Sequence, residues 1–245
     1  RKSVLPGIAG RKTVLANHCA AFIDDPRART GVLEGNPIHR DMVWAARRAR
    51  LAFVVNAVID HDKRAIAAVA GDVERAHEAG CAFLAGHCRV RPATADLVLT
   101  TNGGYPLDQN LYQAVKGMTA AEATVRPGGV ILMMASCADG CGGEAFYRQI
   151  SGEADLDKTL ARCRSRRPEE TEPDQWQSQI LIRVLQRATV LLLSEAPDDL
   201  VRAMPMVPVH RVEEGLRPPR AIPGSPPPRI PPLTAGVSVT APAPT

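Results

Sequence analysis

Apolar positions fall into two rhythms along this chain: short Val/Ile/Leu runs and longer stretches with helical spacing. Residues 51–59 (LAFVVNAVI) read as a buried strand, and residues 65–70 offer a partner for it. Residues 72–88 (DVERAHEAGCAFLAGHC) open on a capping Asp72 and place Val73, Ala76, Cys81 and Leu84 at helical spacing. A second strand is expected over 95–100 (ADLVLT) and a third over 128–136 (GGVILMMAS). Helices are expected over 107–116, 174–187 and 198–204, with a further strand over 189–194. Strands alternating with helices predict an α/β fold with a largely parallel sheet and flanking helices. In such sheets function gathers in the loops after the strand carboxyl ends. The glycine-rich loops 102–106 and 139–143 both follow expected strands.

Composition narrows the function classes. Net charge is only +4, and nine aromatic residues leave little material for base stacking, so nucleic acid is not an expected partner. No apolar run reaches the length of a membrane-spanning helix, so no membrane partner is expected either. The six cysteines form no C-x-x-C pair, and no signal peptide leads the chain; a reduced, cytoplasmic setting is the expectation. Residues 218–245 hold ten prolines and are expected to be an irregular or disordered tail, with 236–239 as a candidate edge strand.

Several familiar chemistries lack their motifs. There is no G-x-G-x-x-G, no Walker lysine and no G-x-S-x-G elbow. The DGCGG loop at 139–143 reads either as a phosphate wrap or as a tight strand-to-helix turn. Gln113 and Lys116 lie three apart on an expected helix, with Tyr112 four before Lys116. An amide, a phenol and an ammonium on one face suit a small carboxylate; a solvated helix face is the plainer alternative. Trp176 stands among polar neighbours, and His18 reads as a ligand or as a satisfied polar residue.

Five segments together carry a resemblance. They are 2–10 (KSVLPGIAG) through Asn17-His18, 28–37 (ARTGVLEGNP), 103–116 (GGYPLDQNLYQAVK), 126–129 (RPGG) and 173–176 (PDQW). They resemble the nickel-dependent lactate racemases over about residues 1–215, and the 103–116 stretch is long and specific. The resemblance implies a racemase or epimerase of a short, lactate-like 2-hydroxy acid that works by hydride transfer. It implies a nickel pincer nucleotide of the pyridinium-3,5-bisthiocarboxylic-acid mononucleotide type. By the same resemblance Lys2 anchors that cofactor, His18 ligates its nickel, Gln113 and Lys116 hold substrate, and Tyr112 and Trp176 line the pocket.

The resemblance places the family's acid–base histidines upstream of Arg1, so no catalytic residue is expected within this chain. It implies the C-terminal half of a racemase, inactive alone: a fragment, a split subunit whose partner is a separate N-terminal racemase domain, or a decayed copy. The expected organisation is an anchoring segment over 1–35, an α/β domain over 36–217 and the proline-rich tail. The competing reading is a non-catalytic α/β module that binds a small carboxylate or a partner chain.

Overall fold

A computed structural model of the chain describes residues 2–90, 93–153, 155–216 and 232–233. Two compact units are present: Arg1–Arg89 with Arg166–Glu172, and Val90–Ser165 with Pro173–Thr245. The first division in the chain falls between Arg89 and Val90.

The first unit begins with a π-helical turn over Ser3–Ile8, followed by α1 (Arg11–Asn17), α2 (Ala20–Asp24) and α3 (Pro37–Arg48). Helix α3 starts at Asn36, whose side chain accepts hydrogen bonds from the Ile38 and His39 amides at 3.0 and 3.2 Å. Pro37 occupies the first helical position, where a missing N–H costs nothing. Leu5, Ile23, Met42 and Ala46 are buried in this unit. Buried Asn17 donates to Asp41 Oδ2 at 2.8 Å, joining the end of α1 to α3.

Strands β1 (Val54–Ile59) and β2 (Ala65–Gly71) form a two-stranded antiparallel sheet with Val55 opposite Ala70. Helix α4 (Arg75–Cys88) packs against both strands. Asp72 opens it, accepting from the Glu74 and Arg75 amides at 3.0 and 3.1 Å. The expectation of a buried strand is corrected here. Phe53, Val55, Ile59 and Ile66 are all exposed, because two strands covered by one helix bury only one face.

The second unit holds a parallel sheet in the order β6-β5-β4-β3-β7. Its strands are β3 (Ala95–Thr101), β4 (Val125–Met134), β5 (Ala188–Leu193), β6 (Val207–Val209) and the two-residue β7 (Pro232–Leu233). Leu97 pairs with Val130, and Ile131 with Val190. Helix α5 (Leu111–Glu122) joins β3 to β4. Helices α6 (Glu144–Ile150), α7 (Leu156–Arg164) and α8 (Gln175–Arg187) lie between β4 and β5. The core runs through Val98, Leu111, Met118, Ile131, Met133, Phe146, Ile150, Leu181 and Ile182. On the opposite face of β4, Leu132 packs against Gly215 of the short helix Val212–Leu216. Both faces of this sheet are therefore covered, as the α/β pattern predicts. Of the expected tail over 218–245 the described residues are Pro232 and Leu233, which form β7; the rest of it, with the candidate strand at 236–239, lies outside the described residues.

Candidate functional site

Helices that link parallel strands run antiparallel to them, so their N-termini gather at the carboxyl edge of the sheet. Three loops meet there. The Cys137 amide donates to the Asp108 carbonyl and the Asp139 amide to the Gln109 carbonyl, each at 2.9 Å. The Glu195 amide, after β5, donates to the Ser136 carbonyl at 2.8 Å. The start of the 139–143 loop singled out from sequence is thus tied to residues 108–109, which follow the 102–106 loop.

The 139–143 loop acts as the cap of α5. Its Gly140 and Cys141 carbonyls accept hydrogen bonds from the Leu111 and Tyr112 amides, each at 3.0 Å. Asn110 closes the same turn, accepting from the Gln113 amide at 3.0 Å. Gly142 sits at φ +78°, and a Cβ there would collide with the Asn110 amide, so the turn needs glycine. Of the two readings of this loop, the tight turn accounts for these bonds. Helix α5 consequently starts at Leu111, four residues after the expected start, because 107–110 is spent on the turn.

On α5, Lys116 Nζ donates to Gln113 Oε1 at 2.6 Å, so the expected shared face is real. Lys116 is exposed and Gln113 half-buried. One turn earlier, Tyr112 Oη accepts a hydrogen bond from Trp176 Nε1 at 3.0 Å. Phe146 meets the Tyr112 ring edge-on at 5.6 Å between centroids. Gln177 Nε2 donates to the Tyr112 carbonyl at 2.6 Å, fixing the N-terminus of α8 against α5. Because Tyr112 accepts from Trp176, its own hydroxyl proton is free to be donated elsewhere. Burial, then the Asp174 carboxylate, push the Tyr112 phenol upward, which favours this donor form.

Cys137 and Cys141 flank the same edge as free thiols. Burial pushes them up to about 12 and about 11, so both are neutral thiols near neutral pH. Asp174, at φ +61° before α8, is the residue that spacing did not reveal. In the sequence it opens the expected helix 174–187 and stands two residues before Trp176.

Lys2 and His18 belong to the first unit. The Lys2 carbonyl accepts from the Gly7 amide at 2.9 Å, and a Cβ on Gly7 would lie 2.8 Å from that carbonyl oxygen. The turn that presents Lys2 therefore requires glycine at position 7. The Lys2 side chain is exposed. His18 Nδ1 lies 2.9 Å from the Val14 carbonyl, a contact that needs the proton on Nδ1. Burial, and secondarily the positive charge of Lys2, hold His18 below the ordinary histidine value despite the Val14 bond. A neutral imidazole oriented by a backbone carbonyl fits a metal ligand. Among the described residues no group of three His, Cys, Asp or Glu could hold a metal ion by itself.

The lactate racemase C-terminal domain family matches residues 90–241, and the lactate racemase N-terminal domain family matches residues 1–31. The lactate racemase of Thermoanaerobacterium thermosaccharolyticum is 50% identical over 218 residues, covering 89% of this chain and 51% of the relative. That of Lactiplantibacillus plantarum is 49% identical over 217 residues, covering 88% and 51%. The chain thus spans about half the length of these curated relatives.

The structure of the T. thermosaccharolyticum lactate racemase apoprotein superposes with a TM-score of 0.93 at 47% identity, covering 98% of this chain and 58% of that one. A Thermotoga maritima protein shares the fold alone, at a TM-score of 0.68 and 15% identity over 99% of this chain and 62% of that one. With its second unit matched almost throughout by the C-terminal domain family, the chain belongs to the lactate racemase family.

Proposed function

We propose that this chain carries the cofactor-anchoring and substrate-holding parts of a racemase or epimerase acting on a short, lactate-like 2-hydroxy acid. The observation that carries the reading is the Lys116–Gln113 pair, one helical turn from a Tyr112 whose oxygen is held by Trp176. Lys116 takes the substrate carboxylate, Gln113 adds a neutral donor, and the Tyr112 hydroxyl supplies a third donor beside the aromatic wall. A charge-assisted hydrogen bond of this kind is worth about 1.5–3 kcal/mol, or roughly 10- to 150-fold in affinity.

When bound, a nickel pincer nucleotide supplies an acceptor for the C2 hydride of the hydroxy acid. In this reading Lys2 would anchor such a group covalently and His18 would ligate its nickel, a soft-ligated metal for which imidazole is a suitable donor. Acid–base histidines come, in this reading, from lactate racemase N-terminal polypeptide outside the present chain. The setting is the cytoplasm, in keeping with six free thiols.

Titration of the chain with lactate tests the substrate reading. Lys116→Ala should weaken binding by about 10- to 150-fold and Gln113→Ala by less. Unchanged affinity in Lys116→Ala would remove the residue from the site and favour a non-catalytic module. In protein co-produced with an N-terminal racemase domain and the cofactor-assembling enzymes, intact mass should lose the adduct in Lys2→Ala. Metal analysis should lose nickel in His18→Ala. The chain by itself should racemise lactate no faster than buffer.

A further inference from the structure

Asp174 stands at the N-cap of α8, where an aspartate ordinarily accepts hydrogen bonds from the first-turn amides. Here it makes none of those side-chain bonds. The first turn is closed instead by the Asp174 backbone carbonyl, which accepts from the Gln177 and Ser178 amides at 2.9 and 3.2 Å. With φ +61° and ψ +2°, a left-handed conformation that few side chains other than Asn and Asp tolerate, Asp174 turns its carboxylate elsewhere.

The carboxylate goes to the Tyr112 side. A Cβ built on Gly143 would lie 3.3 Å from Asp174 Oδ2 and 3.5 Å from Tyr112 Cδ2, so the carboxylate and the ring flank one glycine. Electrostatics agree with this placement. Burial pushes the Asp174 carboxyl up, and Asp174 adds to the burial that raises the Tyr112 phenol. A negative charge is therefore held beside the aromatic pair, one helical turn from the cation of Lys116.

We propose that Asp174 is a specificity-determining residue, whose carboxylate excludes 2-hydroxy acids carrying a second negative charge and so restricts the site to monocarboxylates. The inference rests on the reading of Lys116 and Gln113 as the grip on the substrate carboxylate. Tyr112 and Lys116 are four residues apart on α5, about 6 Å along the axis. That is roughly the reach between the outermost carboxylate oxygens of an extended four-carbon diacid. A diacid with one carboxylate on Lys116 thus brings the other to the Tyr112 end, against Asp174. The methyl group of lactate brings no charge there and meets only the aromatic wall.

Two like charges about 6 Å apart at a partly solvated site oppose binding by about tenfold, once screening is allowed for. The test uses the full chain with Trp44→Phe, which leaves Trp176 as the sole tryptophan reporter. L-lactate and L-malate are titrated at pH 7.5 by Trp176 fluorescence and by calorimetry. Lactate should bind at least tenfold more tightly than malate. Asp174→Asn should close that gap about tenfold by tightening malate, with lactate changed less than twofold. Asp174→Gly, which suits the same backbone, should do likewise, and Asp174→Glu should keep the discrimination. Lactate binding with an unaltered malate gap in both neutral variants overturns the inference alone. If neither acid binds, or Lys116→Ala leaves lactate affinity unchanged, the substrate grip itself falls and the inference falls with it.

Discussion

Strand β4 buries Val130, Ile131, Leu132 and Met133 in succession, whereas β1, equally rich in branched residues, leaves Val55 70% exposed and Ile59 54% exposed. The difference lies in layers. Strand β4 has β3 and β5 on its two sides, α5 and α8 on one face and Gly215 on the other. Strand β1 has a single neighbour strand and a single helix. A β-branched run fixes local conformation in both places, but burial belongs to whatever packs above and below it.

The largest expected effect breaks the covered sheet. Ile131 is fully buried at the centre of the second unit and reaches the core shared with Leu111, Phe146 and Leu181. Ile131→Ala should cost about 2–5 kcal/mol, because a cavity is left where neighbouring helices cannot fully collapse. Urea titration checks this, followed by hydrogen exchange in peptides of the second unit. A loss under 1 kcal/mol would mean that the sheet is less tightly covered than its burial indicates.

Next comes the turn that builds the carboxyl edge. Gly142→Ala combines left-handed strain with a clash against Asn110, two effects that together should cost about 1–3 kcal/mol. Exchange should accelerate first in the opening turn of α5, whose amides depend on the Gly140 and Cys141 carbonyls. Tyr112 should loosen with it, so lactate binding should weaken as well. Retained affinity in a destabilised variant would separate the turn from the site.

Much of this architecture was legible in the sequence, for identifiable reasons. Strands β3, β4 and β5 announce themselves as apolar runs bounded by turn residues, and Gln113 and Lys116 share a face because helical geometry leaves no other choice. Helix α3 went unread although Asn36-Pro37 is a helix-start signal, since its apolar face is narrow and only Met42 and Ala46 are buried. The late start of α5 was hidden because Asn110 caps the helix from an extended backbone (φ −151°) that the sequence does not mark. Asp174 escaped for a similar reason. Its importance comes from a left-handed backbone and a neighbouring Gly143 thirty-one positions earlier in the chain, neither visible in local spacing.

A pH series sharpens the contrast between the two units. In the first, burial lowers His18, so the unfolded chain takes up a proton near the ordinary 6.5 while the folded chain resists it. That contribution to stability is present above 6.5 and is lost as pH falls through the lower folded value. In the second unit, Cys137 and Cys141 are raised from 9.0 to about 12 and about 11. Their contribution is full below 9 and is lost as pH rises through those values. Exchange protection, corrected for intrinsic rates, should therefore fall in the first unit between pH 7.5 and 5.5, and in the second above pH 9. His18→Asn should flatten the acid limb. Carboxylates lowered by arginine partners, such as Asp25 and Glu170, titrate below this window. A first unit insensitive to pH 5.5 would show that His18 is solvated in solution.

The smallest effect is expected where apolar residues face water. Val55 and Ile66 lie on β1 and β2 with half or more of their surface exposed. Replacing either with Thr keeps the branched side chain that suits a strand and removes little buried surface. Stability should change by no more than about 0.5 kcal/mol for each variant. The same Val→Thr change at Val98, which is fully buried in β3, should cost severalfold more, because its hydroxyl enters an apolar core. Paired thermal melts of Val55→Thr and Val98→Thr measure the contrast directly. Equal losses at the two positions would show that the outer face of the hairpin is covered in solution. A near-zero loss at Val55 beside a large one at Val98 would confirm that the two sheets differ in cover rather than in strand-forming residues.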